Sequence, residues 1–298
     1  MRLAALDLGS NSFHLLVAST DGARELEKIG SRKAVLRLGA VVQEQGQLSE
    51  SAFAAALSSV GQMAAAARQL GADKLISVAT SALRDARNGR AFCDECKSSL
   101  GVEIELLSGD DEARLAYAGA RSALRLTTGS VLVADVGGGS VELAVGDGGS
   151  CDSVQSLPLG FLRLAQAFTV SETGGAQRLA RHVQLECEKA RWQLGRFDTL
   201  LLSGGTARAI GKVLGGGVAG ASSAQVLGLC DTLAMLPYEA LLARGVERRR
   251  ALTLAAGAAV ISGLVAGFGQ RELRISPRGL REGVILRELA ERAPTQAA

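Results

Sequence analysis

The sequence predicts an α/β protein assembled from two related halves, and three observations carry that expectation. Residues 130–147 read as an apolar run ending in Asp135, a break at Gly137, Gly138 and Gly139, and an alternating run through Val141, Leu143 and Val145. Residues 3–15 repeat the order: an apolar run into Asp7, a turn of Gly9, Ser10, Asn11 and Ser12, then Phe13 and Leu15. Downstream of each copy, short apolar runs alternate with longer stretches of helical period, which is the α/β pattern.

Both copies predict strand, tight turn, strand. β-Branched residues suit the pleat, and the glycines permit backbone conformations that a Cβ blocks. A turn without bulky side chains can also point several N–H groups at one anion. Either copy alone fits an ordinary glycine-turn hairpin. Two copies, each with Asp two residues before a Gly and Ser three after it, point to duplicated halves presenting phosphate loops to a shared cleft. Asp7 then corresponds to Asp135, Gly9 to Gly137, Ser12 to Ser140 and Leu15 to Leu143.

In chain order, residues 24–38 read as further strands of a meander ending at Arg37-Leu38-Gly39. Ser49 caps a helix whose apolar positions Phe53, Leu57, Val60, Ala64, Ala67 and Leu70 step by four and three. Lys74 to Ala79 is a short buried strand, and Thr80 to Ala86 a helical segment beyond it. Thr80, Ser81 and Arg84 therefore stand at a strand's C-terminal end, where open α/β sheets bind ligands. Taken alone, Arg84 also fits a surface charge. A helix over about 89–100 and a strand over Val102 to Leu107 follow. Ser108 to Asp111 reads as a capping box opening a helix to about residue 123, with Glu112 in its first turn. On spacing alone, Glu112 fits an acid interacting with the helix dipole.

Residues 124–129 form a polar joint. Beyond the second hairpin come a strand over Val154 to Leu157, a short helix to Phe168, a long helix over about 171–194 and a strand over Thr199 to Leu202. Ser203, Gly204, Gly205 and Thr206 sit between that strand and the next helix, either as a tight turn or with N–H groups facing an anion. Gly211 to Gly220 reads as a mobile loop. Arg244, Arg248, Arg249 and Arg250 form a basic cluster, read as a solvated face or as a track for a polyanion. A buried helix over 251–270, a strand over Leu273 to Ser276 and a helix from Arg278 to about Ala293 complete the order.

The composition narrows the class. With 47% hydrophobic and 21% charged residues among 298, the chain reads as globular and large enough for two domains. A net charge of +3 and 3% aromatic residues give neither the basic footprint nor the stacking platforms of a nucleic-acid binder. The five cysteines do not form a disulfide framework, and Cys93 and Cys96 lack further zinc ligands nearby in sequence. The uncharged stretch Ala251 to Gln270 approaches membrane length, but its glycines and alanines favour a closely packed buried helix. The N-terminus opens on a strand without signal-peptide character, so the expectation is a cytoplasmic protein bound to no membrane.

Asp7-Leu-Gly-Ser-Asn-Ser12 and Asp135-Val-Gly-Gly-Gly-Ser-Val-Glu142 resemble the two phosphate motifs of the exopolyphosphatase and guanosine pentaphosphate phosphatase family, within the actin, sugar-kinase and heat-shock ATPase superfamily. Val78 to Ala86, Leu107 to Tyr117, Ser203 to Thr206 and Gly279-Leu-Arg-Glu-Gly283 resemble the same family, in family order over nearly the whole chain. The resemblance implies two ribonuclease-H-like domains flanking a cleft: residues 1–124, with a C-terminal helix about 279–298 packing back on them, and residues 125–278. It implies hydrolysis of a terminal phosphoanhydride, from inorganic polyphosphate or guanosine pentaphosphate, with Mg²⁺ or another divalent cation. Gly9, Ser10, Asn11, Ser12, Gly137, Gly138, Gly139, Ser140 and Ser203 to Thr206 would hold phosphates. Asp7, Asp135 and Glu142 would bind the metal, directly or through water. Glu112 would activate the attacking water, and Arg84 would neutralise charge on the transferred group. Glu142 could share the water with Glu112. A homodimer is the expected assembly, and a low-turnover nucleotide-binding sensor is the alternative from another class. The sequence departs from the family pattern at Asp111, usually Glu, and at Ser223-Ala224, near where many relatives carry His-Gly.

Overall fold

The computed structural model describes all residues except 21–24, 125–128, 149, 170, 171, 173, 215–221, 237, 238, 241–247, 270, 271 and 293–298. The chain divides into two compact units, Met1–Gly119 with Gly279–Ala298, and Ala120–Arg278. Residues 120–124 thus group with the second unit.

The first unit opens with the antiparallel pair β1 (Arg2–Leu8) and β2 (Ser12–Ser19), extended by β3 (Glu27–Val35). Helices α1 (Leu38–Gln45) and α2 (Glu50–Gln69) follow, then β4 (Lys74–Ala79), α3 (Ser81–Asp85), α4 (Gly89–Leu100), β5 (Ile104–Leu106) and α5 (Gly109–Arg121). The sheet order is β3-β2-β1-β4-β5, with β4 and β5 parallel to β1. The second unit repeats this plan. Strands β6 (Ser130–Val136), β7 (Val141–Asp147) and β8 (Ser153–Leu157) form the meander, with α6 (Phe161–Ala167) and α7 (Gly175–Leu194) after it. Then come β9 (Thr199–Ser203), α8 (Gly205–Val213), α9 (Ser223–Met235), α10 (Arg248–Phe268) and β10 (Glu272–Ile275). Their sheet runs β8-β7-β6-β9-β10, again with the last two strands parallel to the first. Three antiparallel strands followed by two parallel ones, twice, is the ribonuclease-H-like topology of actin and the sugar kinases.

Local chemistry explains the elements. Ser49 Oγ accepts the Ala52 N–H, an N-cap that starts α2 where expected. Ser108 Oγ accepts from Asp111 N at 3.1 Å, and its hydroxyl donates to Asp111 Oδ2 at 2.6 Å. Asp111 thus answers through the serine hydroxyl, not through the backbone N–H of a reciprocal capping box. The first unit has two apolar layers. Leu6, Leu8, Phe13 and Leu15 meet α2 and α4 on one face; Leu3, Ala5 and Leu16 meet Leu115 of α5 and Val284 and Ile285 on the other. Those last two lie on the final helix α11 (Leu280–Arg292), which packs on β1.

Helix α10 is the core helix of the second unit. Its side chains from Ala256 to Val265 are almost entirely buried, and a Cβ on Gly263 would sit 2.4 Å from the Ala180 carbonyl of α7. Small residues here let two backbones approach. No helix among the described residues is long and apolar enough to cross a membrane.

The structure corrects two local expectations. The meander after β2 is the single strand β3, and the chain turns into α1 directly at Leu38. Gly211 continues α8 and does not begin a loop, while residues 215–220 lie outside the described residues. Arg244 and the side chains of Arg248, Arg249 and Arg250 also lie outside them. Cys93 and Cys96 are buried free thiols of α4, and burial pushes Cys96 up to about 12. Among the described residues no group of three or more His, Cys, Asp or Glu could hold a metal ion.

Helix α11 is tied to β4 by charge. Lys74 Nζ donates to both Glu288 carboxylate oxygens, at 2.8 and 2.7 Å, and Arg292 Nε donates to Oε1. Burial, the largest single influence, pushes the Glu288 carboxyl up; the hydrogen bonds and charges of Lys74 and Arg292 together outweigh it and hold the carboxyl below its usual 4.5. A depressed carboxyl stabilises the fold above its unfolded value and loses that contribution as pH falls through the folded value. Glu288→Gln should therefore lower Tm most near neutral pH, with the gap to wild type closing below about pH 4.5. A gap that stays constant across the acid range in thermal melts would show that the pair contributes nothing through ionisation.

Candidate active site

In the first unit the turn between β1 and β2 is shaped from behind. The Ser10 carbonyl accepts from Gly39 N–H at 2.9 Å, and the Asn11 carbonyl accepts from Leu36 and Arg37 N–H at 3.1 and 2.9 Å. Among the described residues every peptide is trans, so the N–H after each of these carbonyls points the opposite way. The N–H groups of Asn11 and Ser12 are thereby turned away from the start of α1. Asp7 flanks the turn: a Cβ on Gly9 would lie 3.6 Å from Asp7 Oδ1. Asn11 Oδ1 is buried without a hydrogen-bond partner among the described residues, as expected of a group that meets a ligand or water.

Helix α3 links this turn to Glu112. At one end Ser81 Oγ lies 2.7 Å from Ser10 Oγ, both residues being buried. One turn on, Arg84 Nη1 donates to Glu112 Oε2 at 2.9 Å and to the Leu107 carbonyl at 3.0 Å. Glu112 is only 7% exposed, a carboxylate removed from solvent and matched by a guanidinium. Neighbouring parallel strands explain the meeting: β4 ends beside β5, with Ala79 opposite Leu106, so the segments after both strands leave from adjacent points.

The second unit builds the same device from other donors. The Gly137 carbonyl accepts from Phe161 N–H at 3.2 Å, and the Gly138 carbonyl from Leu162 and Arg163 N–H at 2.9 and 3.4 Å. The Gly139 carbonyl accepts from Arg163 Nε at 3.1 Å. The N–H groups of Gly138, Gly139 and Ser140 consequently point away from α6, three successive donors on one side. Asp135 and Glu142 are cross-strand partners and share a face of the sheet, with Ser156 and Ser203 in the same row. Ser156 Oγ donates to Glu142 Oε1 at 3.0 Å, and Glu142 is 3% exposed. Gly204, at φ +99°, brings the turn into α8 against Asp135: a Cβ there would sit 2.5 Å from the Val136 carbonyl and 3.1 Å from Asp135 Oδ1. Gly204 caps α8 without a side-chain bond, so the first N–H groups of that helix are available to an anion.

In each unit, outward N–H groups beside carboxylates, joined in the first by an acid–guanidinium pair, are the kinds of group that phosphoryl transfer uses. The model of the Ppx/GppA phosphatase family matches residues 16–292. The chain belongs to this family. It is 31% identical over 308 residues to exopolyphosphatase 1 of Mycobacterium tuberculosis, covering 98% of this chain and 90% of that protein. The crystal structure of the Aquifex aeolicus Ppx/GppA family member superposes with a TM-score of 0.83 at 29% identity, over 98% of this chain and 99% of that one. An exopolyphosphatase structure from Cytophaga hutchinsonii gives 0.86 at 22% identity, over 98% of both chains, and supports the fold.

Within this Ppx/GppA chain the acids can be tested for a fit to Mg²⁺. Mg²⁺ takes one or two carboxylates, keeps several waters and completes its shell on substrate phosphate. The Asp135–Glu142 pair suits such a part-hydrated ion, and Asp7 offers one carboxylate in its own unit. A closed protein cage does not fit, because no cluster of three acids or histidines exists among the described residues.

Sequence reasoning kept Arg84 and Glu112 as separate roles; the structure joins them. It missed His14, whose Nε2 lies 2.9 Å from Ser12 Oγ and which stands opposite Asp7 as Glu142 stands opposite Asp135. The duplication could have found it, since the two hairpins align His14 with Glu142. Ser223 and Ala224 simply open α9 behind a capping box of Ser222 and Gln225.

Proposed function

We propose that this family member is an exopolyphosphatase, releasing terminal phosphate from inorganic polyphosphate with the help of Mg²⁺. The observation that carries the reading is the Arg84–Glu112 pair, its carboxylate buried, beside the first phosphate turn, in a chain whose named relatives are exopolyphosphatases. Glu112 takes a proton from water, and the water oxygen bonds to the terminal phosphorus. The bridging P–O bond breaks, and the shortened chain leaves with the bonding electrons. In the first unit the outward N–H groups of Asn11 and Ser12, and in the second those of Gly138, Gly139 and Ser140, would donate to phosphate oxygens. Arg84, with Nη1 committed to Glu112 and Leu107, offsets charge on the transferred group from the rest of its guanidinium. Asp135 and Glu142 in the second unit, and Asp7 in the first, would offer carboxylates to a part-hydrated ion, which would supply charge neutralisation on the phosphates.

The test is phosphate release from polyphosphate, guanosine pentaphosphate and ATP in parallel, with Mg²⁺ and with EDTA. Polyphosphate should give the highest kcat/KM, and EDTA should abolish it. Guanosine pentaphosphate as the clear best substrate would overturn the substrate assignment, and EDTA-resistant turnover would overturn the metal.

A further inference from the structure

The two phosphate turns differ in how one carbonyl is held. In the first turn the Asn11 carbonyl is fixed by two backbone N–H groups, from Leu36 and Arg37. The corresponding carbonyl of the second turn, Gly139, is fixed by a side chain, Arg163 Nε at 3.1 Å. Arg163 also donates its backbone N–H to the neighbouring Gly138 carbonyl at 3.4 Å. The Nε bond is part-buried.

We infer that Arg163 is a positioning residue of the phosphate site: its Nε locks the Gly139–Ser140 peptide so that the Ser140 N–H faces the substrate. The physical need is clear from the residues involved. Glycine tolerates a wide range of ψ, so the plane of the Gly139–Ser140 peptide can rotate at small cost unless something grips it. A rotated peptide would aim its carbonyl oxygen where an anion binds and would remove one of three donors. The first turn has Asn11 in place of Gly139 and receives two backbone donors. The second turn consists of glycines at positions 137–139 and depends on a side chain for its last carbonyl. The inference uses only the phosphate-binding role of the turn, and inorganic phosphate can probe it without polyphosphate turnover.

Arg163→Gln and Arg163→Lys separate geometry from charge. A glutamine amide nitrogen is bonded to Cδ, as arginine Nε is, so Gln keeps a donor at the same reach and loses the charge. Lysine keeps the charge but has a carbon at that position. The measurement is the dissociation constant of inorganic phosphate, read from the ¹⁵N amide shifts of Gly138, Gly139 and Ser140, together with KM and kcat. Phosphate affinity should fall about ten-fold in Arg163→Ala, the scale of one hydrogen bond to a bound group, and comparably in Arg163→Lys. Arg163→Gln should stay within about three-fold of wild type on the same scale. The loss should appear mainly in KM. The proposal is overturned if Lys behaves as wild type while Gln falls with Ala, because charge is then what counts. It is equally overturned if all three variants lose melting temperature but keep phosphate affinity. Failure of the polyphosphate reading would leave these phosphate titrations unaffected.

Discussion

Glu112→Gln is expected to lower turnover by roughly 10²–10⁴-fold, the usual contribution of a positioned general base, while substrate still binds. Gln fills the same volume and keeps a carbonyl oxygen towards Arg84, so the hydrogen bond at 2.9 Å has a substitute. What it lacks is the ability to take a proton from water. The fold should survive, because the side chain left without its ion partner is Arg84, the more exposed of the pair at 24% against 9%. Removing the other partner is different. Arg84→Gln leaves a buried carboxylate without its cation and should lower Tm more than Glu112→Gln does. The kinetic loss in Glu112→Gln should appear in kcat, with KM unchanged or lower. A folded Glu112→Gln protein with near-normal kcat would remove Glu112 from the chemistry. In that event Glu142→Gln, made in parallel, tests the buried acid of the second hairpin as the base.

The order of elements was largely legible because each carries a local signal. Ser49 announces α2, and the strand over Lys74 to Ala79 has the bounds expected from its apolar run. The hairpins announced themselves through Asp and Gly spacing. Helix α1 did not. Its N-cap is Arg37, in a left-handed conformation at φ 54° and without a side-chain cap bond, and its first turn contains Gly39 and Val41. Intrinsic propensity argues against a helix there. Tertiary contact decides it, since Gly39 N–H reaches the Ser10 carbonyl and a Cβ on Gly39 would lie 2.9 Å from the Ser10 Cβ. The duplicated plan offered the missing clue: a helix follows the meander in the second half, and α1 stands at the matching place in the first.

The site was legible in its residue types and not in its pairings. Asp7, Asp135 and the glycines stand out by spacing, whereas Glu112 stands out only through the family resemblance. That Arg84 meets Glu112 depends on the parallel register of β4 and β5, which no local pattern encodes. That Arg163 grips the Gly139 carbonyl depends on where α6 enters, and an arginine in a short helix carries no sequence signal of that task.

Gly160→Ala should reduce kcat/KM by about 10²-fold or more, the cost of misplacing a binding group by roughly an ångström. The reason is space. Gly160 has φ −61° and ψ 139°, a conformation open to any residue, so backbone strain plays no part. A Cβ there would sit 2.2 Å from the Gly139 carbonyl carbon and 2.4 Å from both the Gly138 oxygen and the Gly139 nitrogen. These are backbone atoms of the 137–140 turn, which cannot rotate aside as a flexible side chain would. Either the turn or the entry to α6 must shift. Any such shift also loosens the N–H contacts from Phe161, Leu162 and Arg163 that orient the turn. The loss should therefore exceed that of Arg163→Ala, which removes one of those contacts. Gly228→Ala on α9 is the matched control, because nothing lies within 4 Å of a Cβ there. It should keep activity and hold or raise Tm, since alanine favours a helix over glycine. Wild-type kcat/KM in a folded Gly160→Ala protein would mean that the turn is not held at this point, and the orientation of its N–H groups would need another cause.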